Sequence, residues 1–231
     1  MKKPTEKFIN FLEQFMEQLE SCIWSDLAIQ SDKTAVISVD MTNAFCRTGN
    51  LASDRVAALI PPIVKIFNLA WERGVRDMIL LQDCHTAAAE EFGAFAEHGI
   101  CGTEEAEAVD EIKSLPFYNE MKIIQKNSIH PAYATIFDSW LTKNFHLNTF
   151  IIVGDCTDLC IYQTAMHLRI SANALDIQRR VIVPEECVNT YDLPLQTAIE
   201  IKAQPHPGDL LHKLFLHHMV LNGIEVYKQI I

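Results

Sequence analysis

Residues 149–160 read Thr-Phe-Ile-Ile-Val-Gly-Asp-Cys-Thr-Asp-Leu-Cys. The first five form a compact β-rich run suited to a buried strand, and Gly154 lets the chain turn sharply into a helical pattern from about Leu159 to Leu175. The same alternation recurs on either side. Ala35-Val36-Ile37-Ser38-Val39 stops at Asp40, residues 54–73 read as a helix closed by Gly74, and Met78-Ile79-Leu80-Leu81 ends at Gln82-Asp83. Met121-Lys122-Ile123-Ile124-Gln125 ends at Lys126, and residues 135–145 look helical. Beyond the quoted stretch come a strand at Val181-Ile182-Val183, a helix from Leu195 to Ala203, one more helix after Pro207, and a short last strand near Ile224–Tyr227.

Strands that read as continuous apolar runs and alternate with helices imply an α/β fold: a three-layer, doubly wound, mostly parallel sheet with helices on both faces. Phe8, Ile9, Phe11, Leu12, Phe15, Met16 and Leu19 recur at helical spacing, which predicts an amphipathic N-terminal helix in an extension over residues 1–30. No repeat, low-complexity tract or Pro/Gly/Ser-rich linker divides the 231 residues, so a single domain spanning 1–231 is expected.

Nineteen Lys+Arg against thirty Asp+Glu leave a net charge of −11, which disfavours nucleic acid and anionic membrane surfaces as partners. No apolar run is long enough to span a bilayer, and Met1–Glu20 carries acids and lacks the apolar core of a secretory signal. The seven cysteines include no CxxC pair, and reduced thiols in a cytoplasmic protein are the expectation.

In open sheets of this kind ligands sit beyond the carboxyl ends of the strands, near the point where the strand order reverses. Four such ends carry reactive residues: Asp40, then Asp83 with His85, then Lys126, then the turn from Gly154 to Cys160. A cysteine needs a helix N-terminus or a nearby cation to become nucleophilic at neutral pH. Cys160 falls in the first turn of a helix, and Lys126 is the available cation. Asp40 can accept the thiol proton and return it to a leaving amine, so the set suits amide hydrolysis through a thioester. Backbone amides at Cys156 and Cys160 could hold the developing oxyanion. Cys156 is the rival nucleophile and carries less weight because it precedes the helix. Taken singly, each residue has a plainer reading: packing for the cysteine, a solvated strand end for the lysine, a turn former for the aspartate.

A second cluster comprises Asp83, His85, Glu90, Glu91 and His98. Three or four O/N ligands suit zinc, iron or manganese better than magnesium or calcium. His206, His212, His217 and His218 lie in a tail that reads as a packed or exposed helix without carboxylate or cysteine pattern, and they receive no chemical role.

These residues resemble the isochorismatase-like cysteine hydrolases, and within them the nicotinamidases. The matches are Val39-Asp40-Met41-Thr42-Asn43-Ala44-Phe45, Asp83-Cys84-His85 leading to Phe95-Ala96-Glu97-His98, Lys126, and Gly154 with Thr157-Asp158-Leu159-Cys160, over roughly residues 34–190. The N-terminal helix, Thr190–Pro194 and His206-Pro207 resemble the plant-type branch. The resemblance implies a triad of Asp40, Lys126 and Cys160, a divalent metal on Asp83, His85 and His98 with Glu91 as an added ligand, and zinc as the first choice. It further implies a pyridine ring sandwiched among Phe45, Phe95 and Tyr133, a cis peptide at Asp155-Cys156, and association into homo-oligomers, for which the N-terminal helix offers an apolar stripe. Ala96-Glu97 and Cys84 depart from the family pattern, which leaves other small amides (maleamate, carbamoyl or biuret-type) as alternative substrates. A non-catalytic binding protein on the same fold is the remaining alternative, and it requires an inert Cys160.

Overall fold

The computed structural model describes residues 2–231. In chain order the elements are α1 (Lys2–Glu17), β1 (Thr34–Val39), α2 (Asn43–Cys46), α3 (Asp54–Ala57), α4 (Ile60–Glu72), β2 (Asp77–Asp83), α5 (Asp110–Lys113) and β3 (Lys122–Lys126). They continue with α6 (Phe137–Lys143), β4 (Thr149–Asp155), α7 (Cys160–Ala174), β5 (Arg180–Pro184), β6 (Val188–Asn189), α8 (Leu195–Ile201), α9 (Gly208–Leu221) and β7 (Glu225–Tyr227).

The sheet runs β3-β2-β1-β4-β5-β7, with β6 beside the end of β4. Every strand pair described is parallel. The chain winds outward from β1 through β2 to β3 and then returns to β4 on the other side of β1, so the order reverses between β1 and β4. Period-two alternation sends the strand residues to two cores. Val36, Met78, Leu80, Ile151, Val153 and Ile182 face α4 and α5, where Ile63, Ile66, Phe67 and Ile112 are buried. Ala35, Ile37, Val39, Ile79, Phe150 and Ile152 face α6, α7 and α9, meeting Phe137, Ile161, Leu168 and Leu216. This is the expected three-layer architecture.

Two local departures have physical causes. The predicted helix over residues 54–73 is split into α3 and α4, because Pro61 and Pro62 lack the N–H that a continuing helix would use and fit only its first turn. The two-residue β6 is too short to leave a hydrophobic signature. The apolar stripe of α1 is partly seated on its own chain: Leu12 is buried, Phe11 meets His217 at 5.2 Å between ring centroids, and Lys213 Nζ donates to Glu13 Oε1 at 2.7 Å, while Phe8, Ile9 and Phe11 stay exposed. Among the described residues, no helix is long and apolar enough to cross a membrane.

Close approach of β1 and β4 depends on Gly154. Its φ is +119°, and a Cβ there would lie 2.0 Å from the Val39 carbonyl oxygen. The glycine therefore lets the two strand ends that flank the reversal come together.

Candidate active site

The register of the sheet assembles the site. Asp83 is the direct partner of Lys126 across β2 and β3, and Val39 pairs with Gly154 across β1 and β4. Asp40 leaves β1 with φ +55°, a left-handed conformation that aspartate tolerates better than most residues. Its Oδ1 accepts a hydrogen bond from the Asp83 backbone N–H at 2.8 Å, which tethers the ends of β1 and β2.

Lys126 Nζ lies 2.7 Å from Asp40 Oδ2, 2.5 Å from Asp83 Oδ1 and 3.5 Å from Cys160 Sγ, and all four residues are buried. Acidic oxygens of Asp40 and Asp83 and the Cys160 sulfur lie within 4.8 Å of one another. Cys160 is the first residue of α7, where helix N–H groups have no intrahelical acceptor and the dipole favours negative charge. The rival Cys156 lines the same cavity, but its Sγ is engaged by Asp155, donating to Oδ2 at 3.5 Å. The Asp155–Cys156 peptide is cis.

Burial pushes the Asp40 carboxyl up to about 6, and the nearby Asp83 adds to this against the pull of Lys126. Burial also opposes charge on Asp83, but Lys126 and the two imidazoles overcome it and hold that carboxyl well below the usual range. Desolvation works against the charge on Lys126, but the two carboxylates more than offset it and hold the ammonium well above its usual range. Burial pushes the Cys160 thiol well above the usual range against the pull of Lys126, and Asp40 and Asp83 add to the rise, so the thiol needs a base to take its proton.

Beside this trio, Asp83, His85 and His98 converge. His85 Nδ1 donates to Asn127 Oδ1 at 2.9 Å and His98 Nδ1 to the Ala96 carbonyl at 2.8 Å, which leaves each Nε2 with a lone pair. Those nitrogens stand 3.4 and 3.5 Å from Asp83 Oδ2, and the buried His85 Nε2 has no hydrogen-bond partner. Three lone-pair donors facing one point, two of them imidazoles with their far nitrogens tied, is the arrangement a divalent cation needs. Glu91 is on the cavity wall and outside this converging group.

The cavity above the sulfur has mostly apolar walls, including Phe45, Val56, Phe95, Ile129, Leu159 and Tyr191, with Asp40, Asp83 and His98 at its polar side. Phe45 and Phe95, two of the three aromatic residues expected around a substrate ring, both line this cavity. Tyr133 does not: it is 71% exposed, with its ring against His130, because the loop after β3 turns Ile129 inward instead. Tyr191 supplies the additional aromatic surface. Asn127 and Phe92 were also not anticipated; the Phe92 ring meets His85 and His98 at 5.4 and 5.7 Å between centroids. Two tail histidines given no role are buried behind the catalytic turn, His206 against Asp158 and His212 against Thr157.

The expectation of seven reduced thiols fails for one pair. Cys84 and Cys101 form a disulfide, because the chain leaving β2 and the returning strand at Ile100 run side by side, with His85 N–H donating to Gly99 O and Cys101 N–H to His85 O, both at 2.9 Å. The bridge braces the segments that carry His85 and His98.

Residues 34–205 match the sequence model of the isochorismatase domain. The chain belongs to the isochorismatase family. Among curated relatives, Nicotinamidase 1 of Arabidopsis thaliana is 26% identical over 240 residues, covering 94% of this chain and 97% of its own. Two solved family folds superpose well. Nicotinamidase from Bacillus subtilis has a TM-score of 0.66 at 20% identity, with 85% of this chain and 99% of the other covered. Pyrazinamidase of Pyrococcus horikoshii, solved in complex with zinc, has a TM-score of 0.65 at 21% identity, with 84% and 98% covered.

Proposed function

We propose that this isochorismatase-family chain is a metal-containing cysteine amidohydrolase that converts nicotinamide and water to nicotinate and ammonia. The observation that carries the reading is the buried contact of Lys126 with Asp40, Asp83 and Cys160 at the floor of an aromatic-walled cavity. The Arabidopsis nicotinamidase, which aligns over nearly the whole chain, supports the same substrate.

The chemistry follows from the charges. Asp40, with a carboxyl near 6, is a base at neutral pH and takes the Cys160 proton as the sulfur adds to the amide carbon. The amides of Cys156 and Cys160 stabilise the oxyanion, and Lys126 holds the carboxylates in place. As the carbon–nitrogen bond breaks, Asp40 returns the proton to the departing nitrogen and ammonia leaves. Water, deprotonated by Asp40, then cleaves the thioester, regenerating the thiol and releasing the carboxylate product.

Asp83, His85 and His98 would hold a divalent cation, zinc before iron or manganese, with Glu91 on the wall of the same cavity. Bound there, the metal supplies a Lewis-acid anchor for the pyridine nitrogen and offsets the negative charge around the sulfur. Phe45, Phe95 and Tyr191 flank the ring. A panel of nicotinamide, pyrazinamide, maleamate and biuret, read by ammonia release, tests the substrate. Preference for the two aromatic amides is expected; preference for maleamate or biuret would move the assignment to another small amide.

A further inference from the structure

His206 lies outside the reacting set, yet both of its ring nitrogens are tied into the site. It comes from the stretch between α8 and α9, anchored by an antiparallel bridge in which Leu193 N–H donates to His206 O at 2.8 Å and His206 N–H to Leu193 O at 2.9 Å. Its buried ring places Nε2 at 2.8 Å from Asp158 Oδ2, two residues before Cys160, and Nδ1 at 2.9 Å from the Tyr191 carbonyl oxygen. Both partners are acceptors, so both nitrogens carry hydrogen and the ring is an imidazolium. Its face lies against the Tyr191 ring, with centroids 3.8 Å apart and planes at 14°. Tyr191 in turn lines the cavity. The Tyr191 backbone is held from the far side as well: Gly208 N–H donates to Asp192 Oδ1 at 2.7 Å, and a Cβ on Gly208 would come within 2.5 Å of the Tyr191 carbonyl oxygen.

We propose that His206 is a positioning residue that fixes the Tyr191 ring as the wall against which the planar ring of the substrate packs. The proposal rests on the aromatic-amide reading above and adds how the ring is held. A cation on the face of a tyrosine ring is attracted by its quadrupole, so charge and stacking act together. The charged and titratable groups facing His206 are Asp158, from the turn ahead of α7, and Tyr191 and Asp192, from the segment after β6. Burial favours the neutral ring, but Asp158 outweighs it and raises the pKa above the ordinary histidine value. Once pH exceeds that value, one of the two hydrogen bonds is lost and the wall loosens.

The test is a double-variant cycle of H206Q and Y191A, with KM and kcat for nicotinamide read by ammonia release. Glutamine keeps a donor toward Asp158 and removes the ring. H206Q is expected to raise KM by about tenfold, the upper range for an aromatic pair, with kcat within about threefold of the parent. The double variant should share the KM of Y191A, because His206 acts through that ring. A KM unchanged in H206Q, effects that multiply, or a loss confined to kcat would overturn the proposal. A measurement on the unaltered protein stands beside it: nitrogen-15 histidine spectra at pH 7 should show both ring nitrogens of His206 protonated, and a neutral His206 ring would overturn the proposal even if H206Q fails to fold. Absence of turnover by the unaltered protein on every amide of the panel would overturn the functional reading and this one together, whereas turnover with an unaltered H206Q phenotype would overturn the His206 assignment alone.

Discussion

Replacing Lys126 by methionine removes one cation and leaves two buried carboxylates. The lysine contacts Asp40 at 2.7 Å and Asp83 at 2.5 Å, and its side chain is fully buried. Removing one partner of a buried pair costs about 3–5 kcal/mol, because the remaining charge is desolvated without compensation. Two stranded carboxylates place K126M at the upper end, a large share of the roughly 5–15 kcal/mol that holds a typical domain folded. The variant relieves this cost by protonating the carboxylates. Without Lys126 the folded-state Asp40 carboxyl, already raised by burial, titrates well above its unfolded value, so the penalty is present at pH 8 and shrinks as pH falls through that value toward 5. Asp83 in the parent is depressed, and its contribution is lost only at far lower pH. Urea unfolding followed by tryptophan fluorescence, with chelator present in both proteins, measures the difference. A destabilisation of about 4–5 kcal/mol at pH 8, reduced by at least about 1 kcal/mol at pH 5, is expected. A loss below about 1 kcal/mol, or one equal at both pH values, would refute the burial argument.

The carboxyl of Asp40 near 6 sets an acid limb: kcat/KM should fall as pH drops below about 6, when the base is protonated, and a profile flat from pH 5 to 8 would exclude Asp40 as that base. Asn127 fixes the tautomer of His85, so N127A should weaken zinc binding by about 10–100-fold in competition with a chelating indicator, while affinity equal to the parent would remove the orienting role. The Cys84–Cys101 bridge closes a loop of sequence separation 17, and reduction should lower unfolding free energy by about 3 kcal/mol; unchanged urea midpoints with and without dithiothreitol would contradict the pairing.

The layer architecture was legible because the central strands are uninterrupted apolar runs, and because Asp40, Asp83, Lys126 and Gly154 stand where those runs stop. Chemistry at matching strand ends is readable without knowing the register. What could not be read is which ends touch. The pairing of Asp83 with Lys126 depends on β2–β3 register, and the salt link of His206 to Asp158 spans 48 positions and two intervening helices. Cys84 and Cys101 meet only because the loop bearing His98 folds back along β2. Local turn geometry decided the aromatic wall. Ile129 takes the inward position after β3, leaving Tyr133 in solvent, while the bridge at Leu193 and His206 brings Tyr191 to the cavity. The upward shift of the Cys160 thiol was equally hidden, since it follows first from burial, which prevails over the pull of the nearby lysine.

Ammonia release from nicotinamide by the unaltered chain and by Cys160→Ala addresses the sulfur itself. The proximity of Cys160 to Lys126 and Asp40 predicts turnover in the first and a loss of at least about a thousandfold in the second, because Cys160 is the thiol in contact with Lys126 and beside the Asp40 carboxylate. Turnover by C160A within about tenfold of the parent would contradict the assignment of Cys160 as nucleophile.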